Sequence, residues 1–150
     1  MNVTSQGSRN GLLAAIVFAF ASAAVAAEIG QIKVAKGQVS VERSGATLAG
    51  AVGLRLEAAD VVKTGADGSV GITMSDNSLL SAGPNSALAL ERFEFDPTTS
   101  QGRFDAQLQR GTLAVISGRI AKQSPQAMTV RTPSAALSVR GTEFVVAVNE

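Results

Sequence analysis

Cysteine, histidine, tryptophan and tyrosine are all missing from this 150-residue chain, and each absence removes a class of function. Without cysteine there is no disulfide, no thiolate nucleophile and no thiol to carry a lipid. Without histidine the commonest general base and metal ligand is gone. Surfaces that bind sugars or single-stranded nucleic acid stack their ligands on exposed aromatic rings, so the lack of tryptophan and tyrosine disfavours both. The chain also lacks a long run of one charge: 13 basic residues face 12 acidic ones. The electrostatic footprint of a nucleic-acid binder or of a polybasic membrane binder is therefore not there.

What is present begins with "MNVTSQGSRNGLLAAIVFAFASAAVAAE". A polar start carrying Arg9, an apolar run from Leu12 to about Ala21 and the small residues Ala24-Val25-Ala26 have the layout of a secretory signal peptide. The run is shorter than the roughly 20 apolar residues a spanning helix needs. Residues 1–26 thus read as a leader cleaved after Ala26 or Ala27, which places the protein in the periplasm or outside the cell, with no transmembrane segment left after cleavage. Arg9 is the only charge in that stretch, so the remainder carries 12 basic and 12 acidic residues and is formally neutral. Residues 27–150 are long enough for one domain held by its core alone.

From Ala27 onward, short apolar runs alternate with glycine and polar turns, and few windows show helical spacing. Candidate strands are QIKVAKG, QVSVER, DVVKTG, SVGITM, NSLLSAG, SALALERFEF, RFDAQLQ, GTLAVISG, QAMTVRTP, AALSVRG and TEFVVAV. Turn formers separate many of them: Ala66-Asp67-Gly68, Ser75-Asp76-Asn77, Gly83-Pro84-Asn85 and Asp96-Pro97. Strand signals every six to twelve residues make the class all-β, with short strands that suit either stacked solenoid rungs or a sandwich. Leu48 to Ala59 fits either a surface loop or a single helical turn. At the end of the chain the apolar parity changes, from Ala135, Leu137 and Val139 to Phe144, Val146 and Val148. Glycine within Arg140-Gly141-Thr142 accounts for the change as a bulge or tight bend, after which both sets point inward.

The remaining polar groups offer little chemistry. Ser78, Ser81 and Ser86 lie near Asp76, but no G-x-S-x-G or S-x-x-K signature supplies an activating base, and serines in such places cap turns. Glu91, Glu94 and Asp96 are close in sequence, yet in a strand Glu94 and Asp96 share the face opposite Phe93 and Phe95, as on any half-buried strand. Asp67, Asp76, Asn77, Asn85 and Asp105 lack the ligand spacing of a calcium loop. No catalytic residue, cofactor or metal site is assigned. As contact residues we single out Asp67, Asp76, Asn77 and Asn85, at turn tips where a rigid scaffold presents polar groups, and Arg140. The last is the one charge inside an apolar stretch, expected to pair with a carboxylate or to mark a contact.

Three segments in order, DVVKTGADGSVGITMSDNSLLSAGPNSALALERFEFD, LQRGTLAVISG and VRTPSAALSVRGTEFVVAV, closely resemble the FecR domain from about Asp60 to Val148. The succession TG-x-DG-S, D-x-S, GPNS, R-G-T, V-x-TP and V-R-G-T-x-F carries the resemblance; Gly37–Val41 and Gly50–Leu56 resemble the family's leading segment less specifically. It implies a periplasmic β-rich domain that, in the namesake iron-uptake systems, relays a signal from an outer-membrane receptor to a sigma factor. Here a leader stands where those regulators carry a cytosolic segment and a spanning helix. The sequence is therefore similar to a stand-alone, exported FecR-domain protein whose chain closes one strand before the usual pattern does. The expected function is a non-enzymatic binding or signalling module with a protein partner in the cell envelope and no nucleic acid. The alternative is a structural or surface-associated envelope protein that self-associates through an open strand edge.

Overall fold

The structure, a computed structural model, describes Ala19, residues 26–140 and residues 143–149. The leader assigned to residues 1–26 therefore lies outside the described residues apart from Ala19 and Ala26, as do Gly141, Thr142 and Glu150. The rest is almost entirely strand. In chain order these are β1 (Glu28–Lys36), β2 (Val39–Arg43), β3 (Ala46–Ala49), β4 (Arg55–Glu57), β5 (Val61–Thr64), β6 (Ser69–Met74), β7 (Leu79–Ala82), β8 (Ala87–Phe95) and β9 (Gly102–Ile116). A short helix α1 (Arg119–Gln123) follows, then β10 (Met128–Arg131), β11 (Ala136–Ser138) and β12 (Glu143–Val148). All pairs are antiparallel except β9 with β10, and the strands join into one sheet that curls into a half-barrel. The all-β reading holds, and the strands form a folded sheet rather than climbing rungs.

The fold turns on β9. Its first part, to Arg110, pairs with β8 on one side and β10 on the other; its last part, from Gly111, pairs with β7 and β12. Two halves result: one in the order β4-β1-β6-β7-β9-β12, the other in the order β3-β2-β5-β8-β9-β10-β11. RFDAQLQ and GTLAVISG, read as separate strands, are thus one, with a corner at Gly111. There φ is +88°, and a Cβ would run into Ser86, just before the neighbouring strand β8. Glycine is the residue that takes such a backbone without strain. The Ser86 hydroxyl accepts from Thr112 N (3.0 Å) and its own N donates to Thr64 Oγ1 (2.9 Å), so both chains are pinned as they bend. Across the corner the inward positions change parity, from Phe104, Ala106 and Leu108 to Leu113 and Val115.

Both halves line one core. Val70, Ile72, Leu80, Leu113 and Val115 from one meet Val41, Val62, Leu88, Leu90 and Phe104 from the other, all buried. Each such side chain contributes about 1.5–3 kcal/mol on leaving water. The stretch from Leu48 to Ala59 forms neither a surface loop throughout nor a helical turn: it carries the end of β3 and all of β4, and Leu56 is fully buried. Arg43 ties this corner together. Its guanidinium donates to both carboxylate oxygens of the buried Asp60 (2.9 and 2.7 Å), to Glu57 (3.1 Å) and to the Arg55 carbonyl (2.9 Å). These bonds, the Asp60 one foremost, raise the Arg43 pKa further.

Among the closing residues only part of the inward set is as expected. Val139 and Val146 are buried, and Phe144 and Val148 pack against the core, but Leu137 is 40% exposed. β11 is a three-residue edge strand that pairs, among the described residues, with β10 alone, which leaves that side chain open. β11 and β12 lie in different halves of the sheet. The parity change therefore accompanies a crossing from one half to the other; Gly141 and Thr142, where a bulge or bend is expected, lie outside the described residues.

Candidate functional site

The turn residues proposed as contacts do not form one site. Asp67 and Asn85 share one end of the sheet: Asp67 Oδ1 accepts from Gln38 N (3.3 Å), and Asn85 N donates to the Gly65 carbonyl (3.0 Å). Both are exposed. Asn77 and Asn85 hold the positive φ (67° and 53°) that asparagine tolerates in a tight turn. Asn77 is exposed at its tip, on the β6–β7 turn, but Asp76 beside it is not a tip at all. It is 0% exposed, with its carboxylate accepting from Ser78 N (3.0 Å), Ser78 Oγ (2.8 Å) and Ile120 N (3.2 Å). Its carbonyl accepts from Arg119 N (2.7 Å). The N–H and O–H groups of Ser78 and the free N–H at the start of α1 offset the cost of taking this carboxylate out of water. Gly118 allows this approach, because a Cβ there would collide with the Asp76–Ser78 backbone.

Arg140 also departs from expectation. It is exposed beside Gln123, Ser124, Pro125 and Gln126 and makes no ion pair among the described residues. Since it follows β11 at the rim, its charge stays in water and needs no partner. Ser78 and Ser86 are buried and hydrogen-bonded within the fold. Glu94 points outward with Arg92, which it pairs (3.1 Å), opposite Phe93 and Phe95. The described residues contain no group of three or more acidic side chains arranged to hold a metal ion, and none of their helices is long and apolar enough to cross a membrane.

The feature that stands out is apolar surface. Six large hydrophobic side chains are exposed among the described residues: Val34, Val52, Leu79, Ile116, Leu137 and Val145. Val34, Leu79 and Ile116 line a groove of about 330 Å³ on the outer face of the β12 half, floored by Gly71, Ser81 and Ala114. Leu137 and Val145 line a second, of about 380 Å³, in the seam between β11 and β12. Glu143 lines both, so the two grooves meet at β12. Four of the six exposed hydrophobics, Val34, Leu79, Ile116 and Val145, thus stand on the outside of the β12 half, with Val145 the most open at 70%, and Leu137 faces the seam from β11. β12 pairs with β9 on one side, and no strand among the described residues pairs with the other.

Strand chemistry explains why this surface faces out. A side chain beside an inward one points away, and Ile116 and Val145 neighbour the buried Val115 and Val146. The sequence carries the signal in LAVI and FVVAV, which stay apolar at consecutive positions instead of alternating with polar residues. Runs of that kind belong to strands covered on both faces. Contact residues chosen for polarity at turns overlook it.

A family model described as FecR protein matches residues 60–150. No curated protein and no solved structure matches the chain. The FecR family is a regulatory one associated with signalling through proteins. The matched span runs from the strand before β6 to the end of the chain and includes every strand of the contact surface except β1, and over that span, more than half its length, the chain belongs to the FecR protein family.

Proposed function

We propose that the chain is a non-enzymatic signalling module, exported to the periplasm, that binds a protein partner in the cell envelope through the outer face of its β12 half. The carrying observation is that four of the six exposed large hydrophobics, Val34, Leu79, Ile116 and Val145, stand on that face. Patches of this kind on a single chain are often functional. Family membership supports the signalling role, and the absence of cysteine and histidine supports action by contact rather than by catalysis. The apolar leader followed by Ala24-Val25-Ala26 supports export.

The test is capture from cell-envelope extract on the immobilised chain, beside an Ile116→Lys/Val145→Lys variant. A partner recovered by the parent chain and lost by the variant is the expected result. Equal recovery by both overturns the assignment of this surface. N-terminal sequencing of protein recovered from the periplasm is expected to begin at Ala27 or Glu28; an intact Met1 overturns the export reading.

The unpaired side of β12 favours a second reading, a structural envelope protein that assembles edge to edge, because an open apolar strand invites pairing. Assemblies larger than two copies in solution would favour it.

A further inference from the structure

On the outer face of the β12 half the strands run in the order β1-β6-β7-β9-β12, with β7 in the middle. The registers set Thr73, Leu79, Ile116 and Glu143 in one row across β6, β7, β9 and β12, with Gly71 one outward position along β6 from Thr73. At the opposite margin from Glu143 stands Lys33, the residue passed over at the register shift between Ile32 and Val34. Both are exposed, both line the groove, and neither has an ion pair among the described residues. The face therefore carries a cation at one margin and an anion at the other, with bulk and hollow between them.

Such a face complements itself. A twofold axis parallel to the strands and running along β7 lays β12 of one copy over β1 of the other, and β9 over β6. Glu143 then lies over Gln31, in the same row, with Lys33 two residues along β1 and its long side chain within reach. Ile116 lies over Thr73, beside Val34, whose side chain leans over Gly71, and Leu79 meets its own counterpart on the axis. An axis at right angles would instead set Lys33 against Lys33 and Glu143 against Glu143. The outer face of the other half has no such vacancy, since its charges are paired within the copy: Glu42 with Lys63, Glu91 with Arg131, Asp105 with Arg103.

We propose that a second copy of this chain docks on this face, sheet against sheet, in that orientation. The inference rests on reading the face as a contact surface and names its occupant. Five strands at about 4.8 Å spacing and six residues at about 3.4 Å rise give a face of roughly 20 by 20 Å. The pair then buries on the order of 1,000 Å², at the low end for specific association, so the dimer forms reversibly in the micromolar range.

Sedimentation velocity on the chain recovered from cells expressing all 150 residues, across about 1 to 300 μM, reads this directly. A monomer–dimer equilibrium is expected. Lys33→Glu and Glu143→Lys each turn two attractions into repulsions and should raise the dissociation constant about tenfold or more, while the double variant should restore it. Circular dichroism checks that the variants, all at exposed positions, remain folded. A monomer at every concentration overturns the dimer, as does a dimer indifferent to both single changes or a double variant that stays weak. If the chain is monomeric but the envelope capture still responds to Ile116→Lys/Val145→Lys, the dimer alone has failed; if neither responds, the contact surface itself has.

Discussion

The two halves of the sheet share a core and part company on their outer faces. Outside β2, β5, β8, β9 and β10 stand Glu42, Lys63, Glu91, Arg92, Glu94, Arg103, Asp105 and Arg131, and every one of them is in an ion pair. Outside β6, β7, the end of β9 and β12 stand Gly71, Thr73, Leu79, Ser81, Ala114, Ile116, Val145 and Ala147, with Glu143 the lone charge. Exposed ion pairs add little stability, typically under about 1 kcal/mol each, but they keep a strand face soluble and unattractive to other sheets. An apolar outer face gives up that protection. One face carries paired charges, as a strand face in water does, and the other has the apolar composition of a face that a second layer covers.

The largest loss is expected at the corner that separates the halves. Gly111→Val combines a φ of +88° with a collision against Ser86, and should cost at least about 3 kcal/mol in urea unfolding. Next is Arg43→Ala at the edge of the charged half, which leaves Asp60 buried and uncompensated; a loss of about 3 kcal/mol is expected from the same measurement.

Surface exchanges sharpen the contrast more finely. Ile116→Lys and Val145→Lys on the apolar face should leave the unfolding midpoint within about 0.5 kcal/mol and abolish binding, whereas Lys63→Glu on the charged face should do neither. Arg140→Ala, at an exposed rim position with no ion pair among the described residues, should also change stability by less than about 0.5 kcal/mol.

The smallest effect concerns acid. Backbone N–H groups of Thr98 and Thr99 hold the Asp96 carboxyl below its ordinary value of 3.8. A carboxylate with a lowered pKa contributes stability that is present above that ordinary value and lost as pH falls through the folded-state one. Asp96→Asn should therefore slightly flatten the loss of stability below about pH 4, read as melting temperature against pH.

Much of this was legible in the sequence because strands write their burial in period two. SVGITM and RFDAQLQ alternate, and their alternate residues are the buried ones. Turn chemistry was equally plain at Asn77 and Asn85. The failures share a cause. Asp76 has the sequence of an exposed turn residue, and only the arrival of α1 from more than 40 positions away, with Ile120 N on its carboxylate, encloses it. Arg140 sits in an apolar stretch, and only the edge position of β11 leaves it in water. Leu137 obeys the alternation of its strand but lies where no neighbour covers it.

By itself the sequence determined an all-β chain, its turns, its inward residues and, through a succession of short motifs, its family. Those are local properties, set by backbone preference and by the spacing of apolar side chains along one strand. Which of the apolar runs has a covered second face is not local: it depends on whether another layer arrives. Only the folded sheet decided that Arg103, Asp105 and Arg131 would look outward from one half while Leu79, Ile116 and Val145 looked outward from the other, because Gly111 turns a single strand through both.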